Sequence, residues 1–268
     1  MVPNGCRTHS GGAGAVVERS AEEARQFLRD SRGFWHQRFR LGGDVYTPGQ
    51  NDVEALMVDA GFPADLTGKS VLDIGTANGA VAFEAERRGA RRVVATDLAS
   101  QAVFGLDELR DFLQSQVEFR EVSVYELSSA FDEQFDVVIF WGVLYHLRHP
   151  LLGLDNVRAL TRELLLLETA VADNELDPDV RELALARFYR SDELSGDPSN
   201  WFTPTIAAVL DWCSSAGLDP QLVGAWPPDS PMRCAVVARP VAGDPEYVRV
   251  SYERPLACRV LDDHAAER

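Results

Sequence analysis

The chain has 268 residues, 46% hydrophobic and 25% charged, enough for one large domain with a substantial core. Its formal net charge of −16 argues against a nucleic-acid partner, because phosphate neutralisation normally calls for a basic surface. No apolar run approaches the roughly 20 residues that span a bilayer, and Cys6, Cys213, Cys234 and Cys258 are too scattered for a zinc site or a disulfide framework.

Residues 1–19 read as a flexible tail without a secretory apolar core, so a cytoplasmic chain with free thiols is expected. Residues 20–66 form a separate N-terminal helical unit. It holds a helix over 22–30 with Arg29 near its end, an aromatic and basic stretch with Phe34, Trp35, His36, Arg38 and Tyr46, and a helix over 51–60. Asn51 is the expected cap of that second helix, and Gly61-Phe-Pro breaks it.

From Ser70 the pattern alternates. Strands are expected over 70–74, 92–96, 117–122, 135–140 and 163–169, with helices over 79–88, 101–113 and 150–159. Such alternation builds an α/β fold, a parallel sheet with helices on both faces. Residues 172–204 read as an insert after strand five, containing a helix over 177–189 with Asp177 as cap and Pro178 in its first turn. A helix over 205–216 closes at Gly217. The last two strands, 222–225 and 233–238, are joined by Trp226-Pro-Pro-Asp-Ser-Pro, a hairpin-like connection, and should run antiparallel. The main domain therefore spans 67–240. Residues 241–268 form a C-terminal extension, with an edge strand over 247–252.

The sharpest local signal is Val71-Leu-Asp-Ile-Gly75-Thr-Ala-Asn-Gly79. A strand runs into a glycine turn and then a helix. In open α/β sheets ligands bind outside the carboxyl ends of the strands, where this loop lies. Gly79 comes four residues after Gly75, which is not the dinucleotide Gly-x-Gly-x-x-Gly spacing, so a pyrophosphate cradle is disfavoured. Asp73, just before the loop, suits a ligand carrying an ammonium group. Asp97 ends the second strand about 20 residues past the turn, where an acid can accept hydrogen bonds from ribose hydroxyls; capping the next helix is its plainer role.

Strand four ends in Trp141-Gly142 and continues into Tyr145-His146. His146 can take a proton near neutral pH, though a structural histidine is the plainer reading. Tyr145 can orient a nucleophile or present its ring to a cation. Glu168, at the end of strand five, faces the same edge of the sheet and can bind substrate, accept a proton or anchor a loop through a salt bridge.

The glycine loop and Asp97 resemble the class I S-adenosylmethionine-dependent methyltransferase fingerprint over roughly residues 70–238. The resemblance implies a Rossmann-like, seven-stranded, mostly parallel sheet in the order 3-2-1-4-5-7-6, with S-adenosylmethionine as cofactor. It places Gly75, Thr76 and Ala77 at the methionine part, Gly79 in the same cofactor loop, Asp97 at the ribose, and Leu98, Val124 and Tyr125 around the adenine. Trp141 and Gly142 would lie beneath the transferable methyl. Trp35 and Tyr46 would belong to a lid over the cofactor. His36, Arg38, Tyr189, Arg190, Trp201, Phe202 and Arg233 would serve the acceptor.

A narrower resemblance is carried by Gly142-Val-Leu-Tyr-His-Leu-Arg-His-Pro-Leu151, Leu167-Glu-Thr169 and Asn200-Trp-Phe-Thr-Pro-Thr205. These look like the family of tRNA wobble-uridine enzymes that build 5-carboxymethoxyuridine. That family uses a carboxylated cofactor, held by a lysine and an arginine besides the tyrosine matched by Tyr145. Lys69 is the only lysine here and belongs to the start of strand one, while Arg233 is the candidate arginine. The expectation is therefore ordinary S-adenosylmethionine, S-adenosylhomocysteine as product, no metal, and a small-molecule acceptor methylated on oxygen with His146 as base. A tRNA-modifying enzyme is one alternative, and a non-catalytic cofactor-binding or NAD-binding protein another. Monomer and homodimer are both left open.

Overall fold

The structure is a computed structural model and describes residues 16–242. The expectations that fall on residues 1–15 and 243–268, including the edge strand over 247–252, lie outside the described residues.

Seven strands form the central sheet: β1 (Ser70–Ile74), β2 (Arg92–Asp97), β3 (Glu118–Glu121), β4 (Phe135–Trp141), β5 (Thr161–Ala170), β6 (Leu218–Trp226) and β7 (Arg233–Pro240). Numbered in chain order within this sheet, they lie side by side as 3-2-1-4-5-7-6. The first five run parallel, and β7 is antiparallel to both its neighbours. The helices are α1 (Ala21–Asp30), α2 (Val53–Asp59), α3 (Ala80–Arg87), α4 (Leu106–Leu113), α5 (Leu127–Ala130), α6 (Pro150–Leu160) and α7 (Ile206–Ser215).

The central strands are apolar on both faces because both faces are covered. Val71, Val93, Ala95, Val137, Ile139 and Leu166 pack under the α1–α4 side. Leu72, Val94, Val138, Phe140, Leu165 and Leu167 pack with residues of α5, α6 and α7 on the other. α1 opens with a capping box, in which the Ser20 side chain accepts from the Glu23 N–H and the Glu23 carboxylate accepts from the Ser20 N–H.

Several local expectations change. The described end of the expected tail is docked: Val16 is buried and the Val17 N–H donates to the Leu113 carbonyl. α2 is capped by Asp52, not Asn51: the Asp52 side chain accepts from the Ala55 N–H, while the Asn51 side chain meets His36. α4 begins five residues later than expected, at Leu106, because Gly105 sits at φ 64° against Gly33 and breaks the turn before it. The helix expected over 177–189 is absent. Only a short turn, Pro178–Val180, precedes an extended segment, Ala186–Phe188, which pairs antiparallel with Phe202–Pro204. The physical cause is Thr205. Its hydroxyl accepts from the Leu185 N–H and lies 2.7 Å from the Leu183 carbonyl, which holds that stretch extended.

Candidate active site

Side chains two apart on a strand share a face. Asp73 of β1 follows Val71, Trp141 of β4 follows Ile139, Glu168 of β5 follows Leu166, and Arg233 of β7 precedes Ala235. All four therefore stand on the α1–α4 side, at the end of the sheet where the parallel strands finish. Together they line a cavity of about 400 Å³, a size typical of small-molecule sites. Gly75, Ala77, Gly142 and Tyr145 complete the sheet side. His36, Gln37, Asn51 and Asp52 of the N-terminal unit, with Val53 and Leu56 of α2 and Trp226 of β6, close the other.

The glycine loop is left-handed at Gly75 (φ 74°), Ala77 (φ 49°) and Gly79 (φ 85°). A Cβ on Gly75 would stand 2.3 Å from Val143 Cγ2, so both backbone angle and space demand glycine. Asp97 accepts from the Ala77 N–H (3.0 Å) and the Ala99 N–H (2.9 Å), tying the loop to the end of β2. Asp73 is buried and accepts from the Thr76 hydroxyl at 2.6 Å. Burial pushes its carboxyl up to about 7; the Thr76 bond opposes this and the neighbouring Asp97 adds to it. A buried carboxyl lining a cavity with no cation of its own is matched by an ammonium or sulfonium group, so the residues present fit S-adenosylmethionine.

Two residues that sequence reasoning missed hold the N-terminal unit on this loop. Asn78 is fully buried. Its Oδ1 accepts from the His36 and Gln37 N–H groups, and its Nδ2 donates to the Phe34 and Phe104 carbonyls. The Gln37 side chain accepts from the Ala80 N–H, capping α3, whose own N-cap glycine has no side chain to do so. Asn78 occupies a variable position of the fingerprint, so nothing in the sequence marked it.

On the β5–β7 side of the cavity, Arg233 makes a bidentate pair with the buried Glu168, one contact being 2.8 Å. The Arg233 guanidinium lies over the Tyr145 ring, 5.3 Å from its centre. Burial raises the Tyr145 phenol, with Arg233 acting against it. His36 Nε2 lies 2.6 Å from the Asn51 amide, and burial followed by Arg233 lowers the pKa of this imidazole. The His146 ring lies tilted beside Tyr145, with ring centres 4.2 Å apart, but is not part of the cavity wall.

The structure thus brings together Asp73, Gly75, Ala77, Trp141, Gly142, Tyr145, Glu168, His36 and Arg233. Thr76, Gly79 and Asp97 shape the loop from behind. The other expected site residues do not line this cavity. Trp35 packs edge-on against Phe27, and Tyr46 lies under Arg38, which is itself paired with Asp52. Leu98 is exposed. Val124 belongs to the core on the α5–α7 side, and the Tyr125 hydroxyl accepts from the His149 N–H. In the insert, Tyr189 is buried and bonded to Thr203, Phe202 packs edge-on against Phe188, Trp201 lies under Arg148, and the Arg190 N–H donates to Glu193. None of these insert residues lines the cavity, whose lining includes Val53 and Leu56 of α2 and Trp226.

A family model described as a methyltransferase domain matches residues 49–219. The tRNA U34 carboxymethyltransferase of Dichelobacter nodosus is 33% identical over 162 residues, covering 58% of this chain and 47% of that protein. The tRNA U34 carboxymethyltransferase of Marinobacter nauticus is 31% identical over 158 residues, covering 58% and 45%. The chain thus spans about half the length of these curated relatives. They carry tRNA in their names, so the charge argument against a nucleic-acid partner gains no support from them. The N-terminal domain of EvdMO1, crystallised in the presence of SAH and D-fucose, superposes with a TM-score of 0.55 at 17% identity, over 82% of this chain and 94% of that one, which shows a shared fold. Among the described residues no helix is long and apolar enough to cross a membrane. The match over residues 49–219, carried by the glycine loop and the sheet that positions it, makes this chain a member of the methyltransferase-domain family, a class I S-adenosylmethionine-dependent methyltransferase.

Proposed function

We propose that the chain transfers the methyl group of S-adenosylmethionine to a hydroxyl oxygen of a small-molecule acceptor, with His146, which stands behind the cavity-lining Tyr145, reaching the acceptor as base. The observation that carries this reading is the charge balance of the cavity. Its lining arginine, Arg233, is already held by Glu168, and Asp73 stands without a cation. Burial keeps the imidazole of His36 toward its neutral form. A sulfonium is favoured in such a site, while an added carboxylate on the cofactor would find no unpaired lining cation, so the ordinary cofactor is preferred.

When bound, the cofactor supplies an electrophilic methyl carbon on sulfur. Asp73 holds the ammonium end and the Gly75–Gly79 loop takes the backbone approach. Val53, Leu56 and Trp226 offer an apolar wall for the acceptor body, and Tyr145, fixed by Arg233, orients the reacting oxygen. A screen of labelled-methyl transfer across phenols, alcohols, carboxylates, amines and tRNA tests the proposal. Hydroxyl acceptors are expected to react, and His146→Ala to cost about 100-fold or more in turnover with S-adenosylhomocysteine affinity retained. Retained turnover in that variant, or transfer to amines alone, would remove the base role.

A second reading, tRNA as acceptor, is favoured by the names of the curated relatives. It requires tRNA binding that falls steeply as salt rises, readable by filter binding at two or more ionic strengths.

A further inference from the structure

We infer that Asp197 and Ser199, in the insert after β5, are positioning residues that fix the tautomer of His146; the inference rests on the reading of His146 as base. Ser199 Oγ lies 2.6 Å from Asp197 Oδ1 and 3.0 Å from His146 Nδ1. An ionised carboxylate can only accept, so the single hydroxyl proton of Ser199 goes to Asp197. Ser199 Oγ is then an acceptor toward the ring, and the proton between them must sit on Nδ1. The Ser199 carbonyl, 3.4 Å from the same Nδ1, is also an acceptor only and makes the same demand. Nε2 is therefore left with its lone pair, the form a base needs. The arrangement also excludes a nucleophilic serine, because its proton points away from the imidazole.

The supporting loop is built for the task. The Ser199 N–H donates to Asp197 Oδ1 at 2.8 Å, closing a turn in which the carboxylate bonds the residue two ahead. The Trp201 N–H donates to the Tyr145 carbonyl at 2.9 Å, so the loop and the Tyr145-His146 turn are held together. Burial opposes ionisation of Asp197, but the Ser199 hydroxyl and N–H hold its carboxyl below the ordinary range. Around His146, burial is the main effect lowering the pKa. Asp197 and the Ser199 carbonyl act against it, while Arg233 and His36 add to it, and the Tyr145 ring lies tilted beside the imidazole. Asp197 thus keeps the imidazole basic enough to accept a proton while burial keeps it neutral beforehand.

In the transfer step the acceptor O–H proton goes to His146 Nε2. The oxygen forms its bond to the methyl carbon as the carbon–sulfur bond breaks, and the sulfur keeps that electron pair. The proton then leaves from the half-exposed imidazole to water.

The test is long-range proton–nitrogen NMR of the His146 ring in the full chain saturated with S-adenosylhomocysteine, together with pH profiles of methyl transfer, for wild type, Asp197→Asn and Ser199→Ala. The neutral ring is expected to carry its proton on Nδ1. Asp197→Asn should lower the His146 ionisation midpoint by about half a unit or more, shifting the acid limb of kcat the same way. It should cut kcat about tenfold with the cofactor KM little changed. A ring protonated on Nε2, or a midpoint unmoved in Asp197→Asn, overturns the inference. An Nδ1-protonated ring with full activity in His146→Ala instead overturns the base reading, and with it the catalytic purpose of the pair, while the tautomer assignment stands.

Discussion

Asp73 couples ligand charge to protonation. With its carboxyl raised to about 7 by burial, it is largely protonated in the empty protein at mildly acidic pH. Binding an ammonium requires the anion, so S-adenosylhomocysteine affinity should rise about tenfold per unit as pH climbs toward 7, then level off. Calorimetric titration between pH 5.5 and 8 checks this, and Asp73→Asn should flatten the profile and weaken binding throughout. The linkage to folding has the opposite sense. A raised folded-state pKa gives stability that is fully present below the unfolded value of 3.8 and lost as pH rises through about 7, at most about 4 kcal/mol. Gly75→Ala meets both a left-handed backbone and Val143, and should cost about 1–3 kcal/mol in melting experiments and abolish tight cofactor binding. Asp73, Gly75 and Asp97 were readable in the sequence because backbone angle and charge dictate residue type there. Asn78 and Gln37 were not, since their value lies in partners 26 to 44 positions away.

The inner strands β1, β2, β4 and β5 could be read from punctuation, because each carries a short apolar run bounded by turn residues, whereas β3 and the polar start of β6 do not. The insert could not. The Leu183-Ala-Leu-Ala-Arg-Phe sequence fits a helix by propensity, but Thr205 and the pairing with Phe202–Pro204 draw it out. The insert's Phe188, Trp201 and Phe202 pack against one another, while Val53, Leu56 and Trp226 line the cavity. The N-terminal unit depends on Asn78, whose amide makes four bonds. Asn78→Ala would strand several buried backbone groups and should cost about 2–4 kcal/mol. Hydrogen exchange should show the His36 and Gln37 amides and the Gly75–Gly79 loop losing protection together, whereas independent exchange of the two regions would refute that coupling.

Over the whole molecule, the charge of −16 is not spread evenly against free cations. Arg19, Arg25, Arg38, Arg88, Arg92 and Arg233 each sit against a carboxylate, which leaves less positive charge for phosphate than the arginine content suggests. This supports the small-acceptor proposal. If it holds, raising salt from 50 to 200 mM should change methyl transfer to the preferred acceptor by less than about threefold, against the far steeper loss that phosphate binding brings. The Glu168–Arg233 pair has a different consequence, for biosynthesis. Glu168 leaves the ribosome 65 residues before Arg233. Until β7 is made and threaded between β5 and β6, the growing polypeptide would carry a carboxylate destined for burial without its counterion. Vectorial synthesis therefore cannot finish the catalytic half early: nascent chains halted before Arg233 should stay protease-sensitive through β5, and the site should lock only when the penultimate position in the sheet is filled.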